Sequence, residues 1–240
     1  MIYAKNSQFI NKKMGMLSQI VNYTKKTSEL NKRVVFGIVM IAVIGLPIFF
    51  GGKIFVTMLL CLCVLVVSEY VAIIKEPKAL TLLCIMSEFV AFYIMRESQF
   101  GLHKVIFLAF VIMSFDTTAY FIGKTVGRHK LCPTISPGKT IEGFLGGICA
   151  TLFLSIPIYY LLSCNVAFSM YFAFVTFLAV LSQIGDIIES KFKRKYSVKD
   201  SSTLIPGHGG VLDRFDGYIL ALPAFCLVDI FSMAFHITLF

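Results

Sequence analysis

The chain has 240 residues, of which 58% are hydrophobic and 15% are charged, and its formal net charge at pH 7 is +9. Its mean hydropathy is +0.84, and its apolar content exceeds the roughly 45–50% found in soluble domains. These values exclude an ordinary soluble globular protein and predict a polytopic membrane protein.

Seven apolar runs are long enough to cross a bilayer, which takes a helix of about 17 residues or more. The runs cover residues 34–50, 54–74, 79–95, 105–123, 143–164, 166–187 and 217–238. Backbone groups in lipid must be hydrogen-bonded within the chain, so runs this apolar are helices. The sequence predicts an all-α fold, a polytopic transmembrane helical bundle of about seven spans.

Basic residues are unevenly divided between the loops. When loops are assigned alternately to the two sides, 19 of the 22 Lys and Arg residues fall on the side of the N-terminus. The positive-inside rule then places the N-terminus in the cytoplasm. Topology and attraction to anionic lipid or phosphate account for the net charge, so no nucleic-acid partner is expected.

The N-terminal arm is polar and rich in Lys. Four apolar residues between positions 10 and 21 recur every three or four residues, which predicts a short helix on the membrane surface, with a solvated disordered arm as the alternative. No signal-peptide cleavage site follows the first apolar run, so we expect that run to remain as an anchor. The expected organisation is an interfacial arm, a membrane scaffold and a catalytic membrane region, at residues 1–33, 34–104 and 105–240.

Glu69 and Glu88 interrupt apolar runs, where an ionised carboxylate is costly unless it is paired or neutral. Two interpretations stay open for both residues: the wall of a polar cavity, or a protonated or hydrogen-bonded structural position. His236 is expected at the membrane interface. The seven cysteines contain no C-x-x-C pair and are expected to behave mainly as small buried hydrophobes.

Asp116 lies about two helical turns before the end of the fourth apolar run. A carboxylate facing lipid there would be hard to tolerate, so Asp116 is expected to face the bundle interior and to be functional. The loop that follows contains two Gly-Lys-Thr triplets, but each lacks the upstream glycine of a phosphate-binding P-loop. Its hydroxyls and lysine still suit a lipid or nucleotide phosphate, and these candidates are Ser136, Lys139 and Thr140, followed by Glu142.

Polar residues follow the sixth run at helical spacing, and they are Asp186, Glu189, Ser190, Lys193 and Arg194. This spacing places carboxylates and cations on one helical face. Asp213 and Asp216 then precede the seventh run. Because spans six and seven are antiparallel, these carboxylates can converge at one depth with Asp116.

Converging Asp side chains without nearby His or Cys suit a hard cation, above all Mg²⁺. A Pro-Gly-His-Gly-Gly turn at 206–210 can approach a phosphate closely and donate backbone N–H groups. Lys193, Arg194, Lys199 and Arg214 add a cationic rim. This combination predicts phosphoryl or nucleotidyl transfer to a lipid. No convincing covalent nucleophile is present, which favours direct attack on phosphorus.

The residues from 190 to 216 form a pattern with more than a dozen fixed positions, S-x2-KR-x4-KD-x5-PGHGG-x2-DR-x-D. It resembles the signature of phosphatidate cytidylyltransferases, also called CDP-diacylglycerol synthases. Three shorter stretches are similar to the same family, at 116–127, 136–143 and 183–190. Together these stretches cover about a quarter of the chain.

The resemblance implies the conversion of CTP and phosphatidic acid to CDP-diacylglycerol and pyrophosphate. It implies a di-metal centre with Mg²⁺, whose second cation the sequence does not identify, held by Asp186, Asp213 and Asp216. The other expected catalytic residues are Asp116, Lys193, Arg194, Lys199, Asp200, His208 and Arg214. The expected substrate-binding residues are Ser136, Lys139, Thr140, Glu142, Ser190, Gly207, Gly209 and Gly210. The enzyme would lie in a bacterial inner membrane with its site facing the cytoplasm.

Two classes of alternative remain. A CDP-archaeol-type synthase or a lipid-alcohol kinase would share the membrane setting and the phosphate chemistry. An ion-coupled transporter would use Asp116, Asp186 and Glu69 as ion sites, although no internal repeat is visible to support it. The sequence leaves the choice between a monomer and a homodimer open.

Overall fold

The computed structural model describes residues 37, 39–74, 79–162, 164, 166–202, 204 and 209–234. This part of the chain is mostly helical. Its α-helices are α1 (Val39–Phe50), α2 (Gly52–Ile73), α3 (Ala79–Glu97), α4 (Gly101–Thr125), α5 (Ile141–Leu161), α6 (Phe168–Lys195) and α7 (Tyr218–Ala234). The predicted basic arm and His236 lie outside the described residues.

Four of the described helices, α2, α4, α5 and α6, are long and apolar enough to cross a membrane. They coincide with the second, fourth, fifth and sixth apolar runs. The helix at the first run and the apolar part of the helix at the last run are shorter. The protein is therefore a helical membrane protein, as the composition predicts.

Helix α6 continues well past its apolar run, to Lys195. The extension carries Asp186, Glu189 and Lys193 on one face, as their spacing predicts. Its last turn contains three cations, which favourably oppose the negative end of the helix dipole. The polar end of this helix is therefore regular structure rather than loop.

The loop between α4 and α5 is a β-hairpin, so the prediction of an entirely helical fold is too simple. Strands β1 (Lys130–Cys132) and β2 (Ser136–Thr140) pair antiparallel with an irregular register. The sequence of β2 contains Pro and Gly, which are poor strand residues, so no strand was expected here. Backbone pairing with β1 and contact with the ends of α4 and α5 hold it in place.

Helices α4 and α5 pack closely through small residues. A Cβ at Gly143 would lie 2.7 Å from the backbone oxygen of Ala119, and a Cβ at Gly147 would lie 2.8 Å from the Ala119 Cβ. Close helix contact through glycine is the common solution in membrane proteins, where water provides no hydrophobic driving force between helices. This contact fixes the hairpin beside the polar end of α4.

Aromatic rings fill the centre of the bundle. The fully buried ring of Phe107 on α4 stacks on Phe174 of α6 and meets Phe225 of α7 edge-on, with centroids 6.3 and 6.0 Å apart. At the end of α4 away from Asp116, Lys104 Nζ lies 2.7 Å from Asp229 Oδ2 on α7 in a buried ion pair. The aromatic core and the ion pair together fix the positions of α4, α6 and α7 relative to one another along the bundle.

Candidate active site

The β-hairpin and α6 meet through an ion pair. Lys139 Nζ on β2 lies 2.5 Å from Asp186 Oδ2. Ser190, one turn further along α6, donates a hydrogen bond of 3.2 Å to the other oxygen of Asp186. Residues predicted from two separate motifs are therefore in contact. This arrangement places the lysine of the predicted phosphate-binding loop directly beside a predicted metal ligand.

A second lysine joins α6 to the segment before α7. Lys193 Nζ lies 2.8 Å from Asp213 Oδ1 and 3.0 Å from Glu189 Oε1. Asp213 belongs to a short 3-10 helix, Leu212–Arg214, rather than to the start of α7. Because the side chain of Glu189 is only 3% exposed, its charge depends on Lys193 for neutralisation.

Backbone N–H groups also bind Asp213. Its Oδ2 accepts hydrogen bonds of 2.8 Å from the amides of Ser201 and Gly210, and one of 3.0 Å from the Ser201 hydroxyl. Burial by itself raises the pKa of Asp213, but Lys193 and these amides outweigh it and hold the pKa below its ordinary value of 3.8. Asp213 is thus a fixed carboxylate.

Asp116 and Asp216 stand beside this network. Asp116 Oδ2 lies 3.7 Å from the position of a Cβ on Gly217, so it faces the start of α7. Asp116 interacts electrostatically with Asp216, Asp186 and Lys139. Burial, and then the nearby carboxylate of Asp186, raise the pKa of Asp216 from 3.8 to about 6. Asp116 on α4, Asp186 on α6 and Asp216 before α7 are therefore near enough to influence one another electrostatically.

The glycine-rich turn is described in part. Gly209 has a φ of +83°, a backbone conformation that favours glycine, and a Cβ there would lie 2.6 Å from Asp213 Oδ2. Gly210 is buried and donates to the same carboxylate. Gly210 therefore binds Asp213 through its amide, and Gly209 passes close to the same carboxylate. The predicted residues Gly207 and His208 lie outside the described residues.

The remaining predicted residues divide into contacts with the hairpin and exposed positions. Arg194 donates from Nε to the backbone oxygen of Ile135 at 3.3 Å, which ties the end of α6 to the hairpin turn. Lys199, Asp200 and Arg214 are exposed on the segment after α6 and the 3-10 helix.

At the hairpin base, Thr140 and Glu142 have structural partners. The Thr140 hydroxyl oxygen caps α5 by accepting a 3.1 Å hydrogen bond from the amide of Gly143. Glu142 accepts hydrogen bonds from the amides of Arg128 and His129 and lies 2.6 Å from His129 Nδ1. Ser136 is partly exposed on β2. Both Thr140 and Glu142 therefore fix the hairpin that presents Lys139.

Carboxylate oxygens are the ligands that Mg²⁺ prefers, so the donor chemistry around Asp186, Asp213 and Asp216 fits such an ion. In the described part of the chain, no three Asp, Glu, His or Cys side chains are close enough to ligate one ion together. Lys139 and Lys193 instead supply the positive charge to Asp186 and Asp213. The carboxylates are therefore chemically suited to Mg²⁺, and in this structure two of them are paired with lysine ammonium groups instead.

One contributing residue was not among the predicted site residues. Glu69 on α2 is 5% exposed and accepts four hydrogen bonds from the α6–α7 connection. Oε1 accepts from the Ser202 hydroxyl at 2.7 Å and the Val211 amide at 2.9 Å, and Oε2 accepts from the Ser201 hydroxyl and the Leu212 amide, both at 2.9 Å. The sequence signal was a lone Glu in an apolar run. Of its two open interpretations, the hydrogen-bonded position is the one found.

Comparison with known proteins identifies a family relationship. Residues 76–231 match the Cytidylyltransferase family, and this segment contains all of the predicted site residues. Over 131 residues, 55% of the chain, the sequence is 41% identical to a phosphatidate cytidylyltransferase of Staphylococcus saprophyticus, of which 50% is covered. It is 42% identical over 135 residues to the protein of that name in Staphylococcus aureus, covering 56% of this chain and 51% of the relative.

A third relative is the phosphatidate cytidylyltransferase of Bacillus subtilis, which is 43% identical over 135 residues. The alignment covers 56% of this chain and 50% of that protein. The chain thus spans about half the length of the curated relatives it matches.

Proposed function

The chain belongs to the cytidylyltransferase family, and we propose that it converts CTP and phosphatidic acid to CDP-diacylglycerol and pyrophosphate. The observation that carries this proposal is the coincidence of the matched segment with the charged network of α4, the hairpin, α6 and the residues before α7. A phosphate-handling enzyme needs fixed carboxylates and cations at one place, and Lys139–Asp186 and Lys193–Asp213 are such pairs.

In the proposed reaction, a phosphate oxygen of phosphatidic acid attacks the α-phosphorus of CTP. The new P–O bond forms as the bond between the α-phosphorus and its bridging oxygen to the β-phosphorus breaks, and pyrophosphate leaves. The chain contributes positioning and charge neutralisation rather than a covalent intermediate. Lys193, Arg194, Lys199 and Arg214 would bind the CTP phosphates and offset charge on the departing pyrophosphate, with Asp200 and His208 in the same segment.

The lipid phosphate or the nucleotide would bind at the hairpin. Lys139 is the cation available there, with Ser136 beside it on β2. Thr140 and Glu142 act by holding the hairpin in place, and Ser190 orients Asp186. Gly207, Gly209 and Gly210 would let the turn approach the substrate. Asp116 would complete the acidic wall opposite α6.

The proposed cofactor is Mg²⁺, with Asp186, Asp213 and Asp216 as its protein ligands, and the family's di-metal centre implies a second cation. The ion would supply charge neutralisation of the CTP phosphates when bound. Lys139 and Lys193 balance the same carboxylates in its absence. Each lysine can then turn to a substrate phosphate.

We further propose seven spans, a cytoplasmic N-terminus and a site that faces the cytoplasm of a bacterium from its inner membrane. The charge distribution between loops supports this orientation. CTP is a cytoplasmic metabolite, so a site on that side would be accessible to it. The basic arm at 1–33, the scaffold at 34–104 and the catalytic region at 105–240 are the proposed parts.

The test is pyrophosphate release by the purified protein in detergent micelles. Release is expected only when CTP, phosphatidic acid and Mg²⁺ are all present. Asp186→Ala and Asp213→Ala should each lower the rate by at least roughly a hundredfold, because each removes a proposed ligand of the Mg²⁺ that would neutralise the CTP phosphates.

The matched control is Glu97→Ala, an exposed acidic residue at the end of α3, which should keep the wild-type rate. All variants are compared by size-exclusion elution to exclude unfolding. Pyrophosphate release without phosphatidic acid, or nucleotide transfer only to a polyprenol, would refute the proposed reaction.

A further inference from the structure

Glu69 lies outside the segment that matches the family, yet it holds the connection that carries Asp213. Two of its four donors, the hydroxyls of Ser201 and Ser202, precede residues 203–210, and the other two, the amides of Val211 and Leu212, follow them. One carboxylate therefore joins both ends of this segment. Fixing a loop costs conformational entropy, which these hydrogen bonds offset.

We propose that Glu69 is a positioning residue for the reaction, which sets the carboxylate of Asp213 by holding residues 201–202 and 211–212 together. The role in catalysis rests on the proposed function. The positioning itself is a property of the fold, so the two can be tested separately.

The Ser201 hydroxyl links Glu69 directly to Asp213. Its oxygen lies 2.9 Å from Glu69 Oε2 and 3.0 Å from Asp213 Oδ2. A hydroxyl has one proton to donate, so it can serve only one of these carboxylates at a time. The amide of Ser201 also donates to Asp213. A change at Glu69 therefore alters both the hydroxyl and the backbone that define the position of Asp213.

The backbone at Gly210 packs tightly against this carboxylate. A Cβ at Gly210 would overlap the Ser201 hydroxyl and lie 2.5 Å from Glu69 Oε2. The neighbouring residue Tyr70 stacks on Phe192 of α6, with ring centroids 5.6 Å apart and planes at 18°. This stack fixes α2 against α6, and with it the position of Glu69 relative to Lys193.

The decisive variant is Glu69→Gln. Glutamine has the same shape, but its NH2 group would face two donors that now bind an oxygen. The matched control is Glu88→Gln on α3, an acidic residue in a neighbouring apolar helix that makes no hydrogen bond to another described residue. A role in filling space alone predicts the same result for both variants.

Two measurements are made on each purified full-length variant. The first is amide hydrogen exchange of the peptide covering residues 209–217, without nucleotide or metal. Glu69→Gln should speed exchange at Val211 or at Leu212 by at least roughly tenfold, because the NH2 group replaces the oxygen that accepts from one of these two amides. The second is turnover of CTP with phosphatidic acid, in which kcat should fall roughly ten- to hundredfold, more than KM for CTP rises.

Wild-type kcat in Glu69→Gln would overturn the proposal. Loss of kcat with unchanged exchange at Val211 and Leu212 would overturn it as well, since Glu69 would then act by another route. If Glu69→Gln does not fold, Ser202→Ala is measured in its place, and faster exchange with a smaller loss of kcat is expected. If the wild type does not turn over CTP with phosphatidic acid, the proposed function fails, while the exchange experiment still decides the positioning role.

Discussion

At the scale of single residues, the site is a set of carboxylates with different partners. Asp213 is bound by Lys193 and three donors from the α6–α7 connection, and Asp186 is bound by Lys139 and Ser190. Asp216 accepts a hydrogen bond of 2.8 Å from the amide of Gly217 and lies near Asp186. Since burial and then the nearby charge of Asp186 disfavour its ionisation, the pKa of Asp216 is raised, whereas that of Asp213 is lowered.

The raised pKa of Asp216 predicts a pH effect on stability. Its pKa is about 6 in the folded protein and 3.8 when unperturbed, so the folded protein retains this proton over a range in which the unfolded chain has lost it. The contribution of Asp216 to stability is therefore fully present below pH 3.8 and is lost as the pH rises through about 6. We therefore expect the Tm of the protein, measured in detergent with excess chelator, to decrease as the pH rises through this range.

The control for this effect is Asp216→Asn, which is neutral throughout. Between pH 4 and pH 7 the Tm of the wild type should fall relative to the Tm of Asp216→Asn, because only the wild-type side chain becomes charged in this range. A difference that stays constant with pH would show that Asp216 ionises normally.

At the scale of secondary structure, the hairpin and the α4–α5 contact present Lys139 to α6. Hairpin position depends on Thr140 at the start of α5, on Glu142 and on the glycines that let α4 and α5 approach. Gly143 is tightly constrained, since a Cβ there would meet the Ala119 backbone oxygen at 2.7 Å and the Thr140 hydroxyl at 2.9 Å.

Gly143→Ala should therefore separate the two helices and displace the hairpin. Overpacking of this kind costs about 1–3 kcal/mol, and we expect a lower Tm together with a loss of CTP turnover. The matched control is Gly45→Ala in α1, where a Cβ would have nothing within 4 Å. Equal Tm and turnover in the two variants would contradict the role of close α4–α5 packing.

The sequence anticipated much at this scale. Helical periodicity correctly placed Asp186, Ser190 and Lys193 on one face of α6, because that face depends only on local geometry. The hairpin was not anticipated, since strands so short form only when other elements hold them. The sequence also did not predict that Asp213 lies in a separate 3-10 helix before α7. A helix this short leaves no periodic pattern in the sequence.

At the scale of the whole molecule, one end of the bundle can be defined from contacts. Arg96 Nε donates to the backbone oxygen of Ile48 at 2.7 Å, which joins the carboxyl ends of α1 and α3. Lys104 and Asp229 join the start of α4 to α7 at the same end. The charged network around Lys139 and Lys193 occupies the other end of α4 and α6. The two sides of the protein therefore differ sharply in charge.

This polarity predicts an orientation that thiol labelling can test. In intact bacterial cells, a membrane-impermeant maleimide should label Gln99→Cys, which is exposed in the turn between α3 and α4. A variant that keeps Cys132 as its only cysteine should remain unlabelled, because Cys132 lies on the hairpin, on the proposed cytoplasmic side. Permeabilised cells provide the control in which Cys132 becomes accessible. Labelling of this variant in intact cells would reverse the proposed orientation.

The sequence by itself determined the class of protein and the segment that carries its chemistry. Composition settles the membrane setting, because only helices satisfy their backbone in lipid. The spacing of Asp186, Ser190 and Lys193 settles one face of the site, because it is local. Both features depend on interactions within a few residues or on the solvent.

Tertiary structure alone decided which residues are partners. Lys139 could have faced substrate, water or any of several acidic residues, and only the α4–α5 packing brings it to Asp186. The lone Glu in α2 had two equal interpretations, and folding placed it against four donors more than 130 positions away in the chain. Such pairings depend on the packing of distant helices, on which periodicity and composition carry no information.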